Sequence, residues 1–202
     1  MAREPVIDRG LPADALAVHA LVLGAGHYAN GLPGLDSAAA SAAAFADWVS
    51  TRHARAGVTL GSLDMLASQP SGQPVTWRGV ALDSPTLSNV QDAVDAWHAR
   101  ADAHEGNLAI FYFCGHGIAV GGLQSLLLSD VDLTSASDPF RGAIDFDNFV
   151  TGMDGCGARE QLYVLDACRE LPLGFAKWDQ ADHLGDSLVR TNLKRQIGRA
   201  HV

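Results

Sequence analysis

Cysteine, positive charge and long apolar runs are all scarce in this 202-residue chain. The three cysteines, Cys114, Cys156 and Cys168, are odd in number and far too sparse for a disulfide scaffold. Such usage suits a reducing compartment, so a cytoplasmic location is expected. Lysine and arginine total 14 against 23 aspartates and glutamates, a net charge of −9. Phosphate recognition needs clustered positive charge, so neither nucleic acid nor an anionic membrane is expected as a partner. A cationic peptide or a metal ion is easier to accommodate. No stretch approaches the roughly 20 apolar residues needed to cross a bilayer. The first ten residues, MAREPVIDRG, lack the apolar segment of a secretory signal. Hydrophobic residues make up 48% and charged ones only 18%, which excludes a disordered chain and supplies one sizeable core. A single domain over residues 1–202 is expected.

Residues 17–23 (AVHALVL) read as a buried strand ended by Gly24-Ala25-Gly26. The segment DSAAASAAAFADWVS predicts a helix capped by Asp36 or Ser37, with Ala38, Ala42, Phe45 and Val49 at helical spacing. Its many alanines suit close packing. A short strand is expected at Ser62–Leu66, then a loop through Pro70, Gly72, Pro74 and Gly79. Ser84-Pro85 predicts a cap and first-turn proline for a helix striped by Leu87, Val90, Val94, Trp97 and Ala101. LAIFYFCGHG (108–117) is a continuous apolar strand running into glycines, and LQSLLL (123–128) a further short one. Asp145–Met153 predicts a brief helix and QLYVL (161–165) another core strand. Residues 171–202 read as polar and loop-like, with a helix from Ala181 to Gln196. Strands alternating with helices indicate an α/β domain with a largely parallel sheet, whose functional groups gather at strand carboxyl ends.

Two such ends carry His116 and Cys168. On neighbouring parallel strands they would stand about 5 Å apart, one inter-strand spacing. An imidazole there can take the thiol proton and create a thiolate that attacks a carbonyl carbon. Gly115 and Gly117 permit close substrate approach, and the N–H groups of Gly117 and Cys168 are candidate oxyanion donors. Taken singly, each residue is as well explained as a core thiol or a loop hydrogen-bonder. Their pairing favours chemistry.

FYFCGHG followed by YVLDACRE, with Cys168 52 residues after His116, resembles the caspase-like cysteine peptidases, including metacaspases, paracaspases and bacterial relatives. The Q-A-C-[RQG]-G signature with its upstream histidine is matched in spacing and in Ala167-Cys168-Arg169. It departs at Asp166, where caspases carry Gln, and at Glu170, where they carry Gly. LVLGAGHY and LPGLDSAAA are similar to that family's first strand and following helix, so the resemblance spans residues 17–170. It implies a caspase-like three-layer sandwich with a mostly parallel central sheet. It implies endopeptidase action on a peptide or protein through a Cys168–His116 dyad, with no metal or organic cofactor. An Asp two residues before the nucleophile looks, in metacaspases and paracaspases, toward the pocket for a basic residue, so Asp166 implies cleavage after Arg or Lys. Their second pocket Asp would fall at Ala38; Asp36 either substitutes for it or caps the helix. Bacterial relatives often serve stress or antiviral responses.

Several rival readings compete with the dyad. Cys114, His116, Cys156 and Cys168 could supply zinc ligands, though none has C-x₂-C spacing. Gly24-Ala25-Gly26-His27-Tyr28-Ala29 fits G-x-G-x-x-A, but a Gly/Pro loop follows where a dinucleotide-binding helix should begin. Asp130, Asp132, Asp145 and Asp147 form a loose acidic region that fits no defined calcium loop. A catalytically silent caspase-like interaction module is the alternative function. Caspase-like domains continue past the nucleophile with further strands, whereas this chain ends at Ile197–Val202, where the next would start. A large-subunit-like piece or a truncated chain is therefore expected, with an activating protein, fused domain or small-subunit portion as partner. Arg190, Lys194, Arg195 and Arg199 make segment 171–202 a candidate self-processing region.

Overall fold

The computed structural model describes residues 3–12, 15–29, 31–51, 58–120, 123–135 and 140–167. Its elements in order are β1 (Ile7–Asp8), β2 (Ala17–Ala25), α1 (Asp36–Thr51), β3 (Thr59–Ser68), β4 (Val75–Trp77), β5 (Val80–Leu82), α2 (Leu87–Asp102), β6 (Leu108–Gly115), β7 (Gly117–Val120), β8 (Leu123–Leu127), β9 (Ala143–Asp145), α3 (Phe146–Met153) and β10 (Glu160–Ala167). The central sheet has the order β1-β3-β2-β6-β10, and only β1 runs antiparallel. The expected α/β domain with a mostly parallel sheet is what forms.

Strand alternation builds two cores. Val18, Ala20 and Val22 of β2, with Ile110, Tyr112 and Cys114 of β6, face α1. Leu21, Leu23, Phe111 and Phe113 face the other side, against α2 and α3. The layers are thus helix, sheet, helices. The alanines of α1 serve the first interface: Ala38, Ala42 and Ala46 are fully buried. A Cβ added to Gly24 would stand 2.8 Å from both the Ala38 carbonyl oxygen and the Ala42 Cβ. Phe45, expected within the buried stripe, is only partly covered and stacks on Tyr112 with ring centroids 4.2 Å apart.

Two helix starts differ from expectation. Thr86, not Ser84, caps α2, with its hydroxyl accepting from the Asn89 N–H. The Ser84 carbonyl is spent instead on the Thr86 N–H and the Asn89 side chain, which leaves Pro85 outside the helix. Asp36 and Ser37 both lie inside α1 rather than preceding it, so Asp36 acts as a first-turn charge favoured by the helix dipole. The loop expected between Pro70 and Gly79 holds a two-residue hairpin. Arg78 and Gly79 both take positive φ, 50° and 80°, as a type I′ turn requires.

The apolar run 108–117 does not stay one strand. β6 ends at Gly115, and beyond His116 the chain enters a separate antiparallel sheet of order β7-β8-β9. That break leaves His116 at the carboxyl end of a central strand. Residues 168–202 lie outside the described region, and with them Cys168, the expected 181–196 helix and the four basic tail residues.

Candidate active site

β6 and β10 are adjacent and parallel, the arrangement on which the His116–Cys168 reading depends. Their register pairs Asp166 with Cys114 and, last, Ala167 with Gly115. In the sequence, Cys168 follows Ala167 and His116 follows Gly115.

His116 is held at several points. Its backbone N–H donates to the Tyr28 hydroxyl at 2.8 Å, and that hydroxyl donates to the Ala25 carbonyl at 2.8 Å. The two rings lie 4.9 Å apart, tilted by 42°. The His116 carbonyl accepts from the Leu127 N–H at 2.9 Å. Its Nε2 lies 2.9 Å from the Pro33 carbonyl oxygen. A carbonyl can only accept, so Nε2 carries the proton, and in the neutral ring the lone pair sits on Nδ1.

The loop that supplies Tyr28 and Pro33 is itself anchored. The Gly26 and His27 N–H groups both donate to the Ser68 hydroxyl at 3.1 Å, and Ser68 bonds Ser129 at 2.9 Å. Leu35 N–H closes the loop onto the Gly26 carbonyl at 2.9 Å. A Cβ at Gly26 would meet the Ser68 and Leu35 carbonyl oxygens at 2.5 and 2.8 Å, so that position is closed to larger residues. α1 starts ten positions after Gly26, so no helix N-terminus opens within the glycine motif.

Gly117, the first residue of β7, is buried and directly follows His116. Asp166 is exposed near the end of β10 and accepts from the Cys114 thiol at 3.5 Å. Burial first, then the Asp166 charge, pushes the Cys114 thiol up to about 11, and burial raises Tyr112 beside it. Cys114 is therefore held protonated. Asp36 opens α1 three residues after Pro33 and is exposed. Ala38, the position at which the family resemblance would put a second pocket carboxylate, is fully buried against Gly24.

The rival clusters are separated or otherwise engaged. Cys114 lies in the core under α1 and Cys156 in the core on the opposite face, so the proposed zinc set does not converge. Burial also raises Cys156. Asp130 accepts from the Leu87 N–H, Asp145 caps α3, Asp147 accepts from Gln124 N–H and Asp132 holds Thr134. These four carboxylates each fix local backbone.

The geometry agrees with a comparison by sequence. The family model described as Caspase domain matches residues 17–196. The chain belongs to the caspase-domain family. That is a peptidase family. The chain is also similar to an uncharacterized protein, y4kE, of Sinorhizobium fredii, at 34% identity over 114 residues. That match covers 55% of this chain and 32% of y4kE, so the chain spans about a third of its relative. No helix of the described residues is long and apolar enough to cross a membrane.

Sequence reasoning missed three features of this caspase-domain chain. Tyr28 and Pro33 were visible only as parts of a glycine motif and a loop, because what they do depends on a contact more than 80 residues away. Ser68 is an unremarkable strand-end serine until its partners are seen. The third feature is a polar cluster beneath α2: Arg100 donates to the Ser62 hydroxyl at 2.9 Å and forms an ion pair with Asp64, while His19 Nδ1 lies 2.9 Å from the same hydroxyl. Asp64 is fully buried, its Oδ1 has no hydrogen-bond partner among the described residues, and burial raises its pKa to about 6 against the opposing Arg100 charge. Burial, then Arg100, lowers His19 to about 4.

Proposed function

We propose that this chain is a cysteine endopeptidase in which Cys168 is the nucleophile and His116 the base. The observation that carries the reading is the β6–β10 register, whose last pair, Gly115 and Ala167, immediately precedes His116 and Cys168 in the sequence. The bond to Pro33 supports the roles by leaving Nδ1 of His116 as the basic atom. In this reading Nδ1 takes the Cys168 proton and the thiolate adds to the scissile carbonyl carbon. The N–H groups of Gly117 and Cys168 hold the oxyanion. The imidazolium then protonates the departing amine, leaving an acyl-enzyme that water hydrolyses with His116 again as base. Both described thiols, Cys114 and Cys156, are buried and raised, which supports Cys168 as the reactive one.

Cleavage after Arg or Lys is part of the proposal. Asp166 is an exposed carboxylate two residues before Cys168, and a charge-assisted bond from a guanidinium or ammonium would select such side chains. Asp36, near the Pro33 loop, is the second candidate pocket carboxylate. Residues 1–202 act in this reading as one large-subunit-like peptidase domain in the cytoplasm. Segment 171–202 is its processing region, and an activating protein or fused domain is its partner.

The test is turnover of Arg, Lys, Asp and Leu peptides by the full chain. Cleavage of the basic pair, abolished in Cys168→Ala and strongly reduced in His116→Ala, is the expected result. Cleavage that persists in Cys168→Ala would overturn it. Absence of turnover even with an activator present would favour the silent interaction module.

A further inference from the structure

The opposite end of the sheet holds a second constellation, which peptide hydrolysis does not use. A cavity of about 350 Å³ opens where β2 and β3 begin, between the last turn of α2 and the segment after β1. From His19 to the carboxyl end of β2 is six residues, so this cavity lies roughly 20 Å from the His116 end of the sheet.

Its walls are apolar at Leu11 and Pro12 and polar at Asp8, His19, Ser62 and Arg100. The polar groups are pre-arranged. Arg100 spends one N–H on Ser62 and one on Asp64, two of the five that a guanidinium carries. Its side chain is 25% exposed and lines the cavity. Asp8 fixes one carboxylate oxygen on the Gly10 N–H at 2.8 Å. Asp8, His19 and Arg100 all line this one cavity, so their polar groups share its space.

A positive donor and a negative acceptor facing a mostly apolar cavity select a small molecule carrying both charges close together. A phosphate dianion is disfavoured by Asp8. A metal ion is not favoured either, since among the described residues no group of three His, Cys, Asp or Glu side chains converges to hold one. We propose that this cavity binds an aliphatic α-amino acid, its carboxylate on Arg100, its ammonium on Asp8 and its side chain against Leu11 and Pro12.

The test uses the full chain and follows the His19 ring and Ala103 amide signals by NMR while L-leucine is added. L-leucinamide, which lacks the carboxylate, and N-acetyl-L-leucine, which lacks the ammonium, are the controls. L-leucine should shift both signals saturably, and each control should bind at least about tenfold more weakly. Asp8→Asn, at an exposed position, should weaken L-leucine about tenfold and leave N-acetyl-L-leucine unchanged. Ala99→Trp, which fills the cavity from the exposed side of α2, should abolish the shifts with the fold verified by circular dichroism. Equal binding of the three compounds, no saturable shift with L-leucine, or an Asp8→Asn protein that binds L-leucine as wild type does would each overturn the proposal.

Discussion

Nε2 of His116 donates to the Pro33 carbonyl oxygen across 2.9 Å, tying the end of β6 to the loop that leads into α1. The bond fixes both the tautomer and the ring orientation of the proposed base. A backbone acceptor cannot be removed by mutating its own side chain, so its influence is best read through the neighbours that set the loop.

Tyr28 is the most accessible of these. Tyr28→Phe keeps the ring against His116 but removes the hydroxyl that accepts the His116 N–H and donates to Ala25. Losing one such buried bond costs about 1–1.5 kcal/mol, so kcat should fall about tenfold with KM little changed. Steady-state kinetics on an Arg peptide would measure it. An unaltered kcat would contradict the positioning role.

Asp166 and Cys114 should separate specificity from support. Asp166→Asn should lower kcat/KM for Arg and Lys peptides by about thirtyfold and leave any residual Leu cleavage unchanged. Cys114→Ala removes only a long, weak thiol donor at 3.5 Å and should alter the same ratio by less than about threefold. Unchanged Arg selectivity in Asp166→Asn would remove this carboxylate from the substrate pocket.

His19 and Asp64 predict opposed pH effects on stability. Asp64, raised from 3.8 to about 6, holds a proton in the folded state that the unfolded chain has released, so it makes stability fall as pH rises from 4 to 6. His19, lowered from 6.5 to about 4, refuses a proton that the unfolded chain takes, so it makes stability rise with pH from 4 to 6.5. The two slopes offset in the wild type. Denaturant titrations should show His19→Gln losing stability from pH 4 to 6, and Asp64→Asn gaining it over that range. Each change is on the order of 2–3 kcal/mol. Parallel pH profiles for both variants and wild type would contradict the pairing.

Self-processing within 171–202 is open to intact-mass measurement. Wild type under activating conditions should yield fragments ending at Arg190, Lys194, Arg195 or Arg199, and Cys168→Ala should stay whole. Identical intact masses for the two proteins would rule the processing out.

The elements legible from sequence are those whose burial leaves a plain pattern. β2 and β6 stand out as unbroken apolar runs, and α2 through the helical spacing of Val90, Val94 and Trp97. His116 was legible because a glycine-flanked histidine after an apolar run marks a strand end. The β4–β5 hairpin was not, since Arg78 is an unusual choice for a positive-φ turn and Val75 to Leu82 is only partly covered. The cap at Thr86 was obscured by Ser84-Pro85, which offers the same chemistry two residues early. Tyr28, Ser68 and the Arg100 cluster were invisible for one shared reason. Each is defined by a partner far away in the sequence, and no local period records that.

A reactive Cys168 activated by His116 can be trapped directly by treating the full chain with an Arg-peptidyl acyloxymethyl ketone and mapping the adduct by peptide mass spectrometry. One adduct is expected, on Cys168, formed far more slowly in His116→Ala and absent from Cys114 and Cys156. Modification of Cys114 or Cys156 in preference to Cys168, or equal labelling of Cys168 with and without His116, would contradict it.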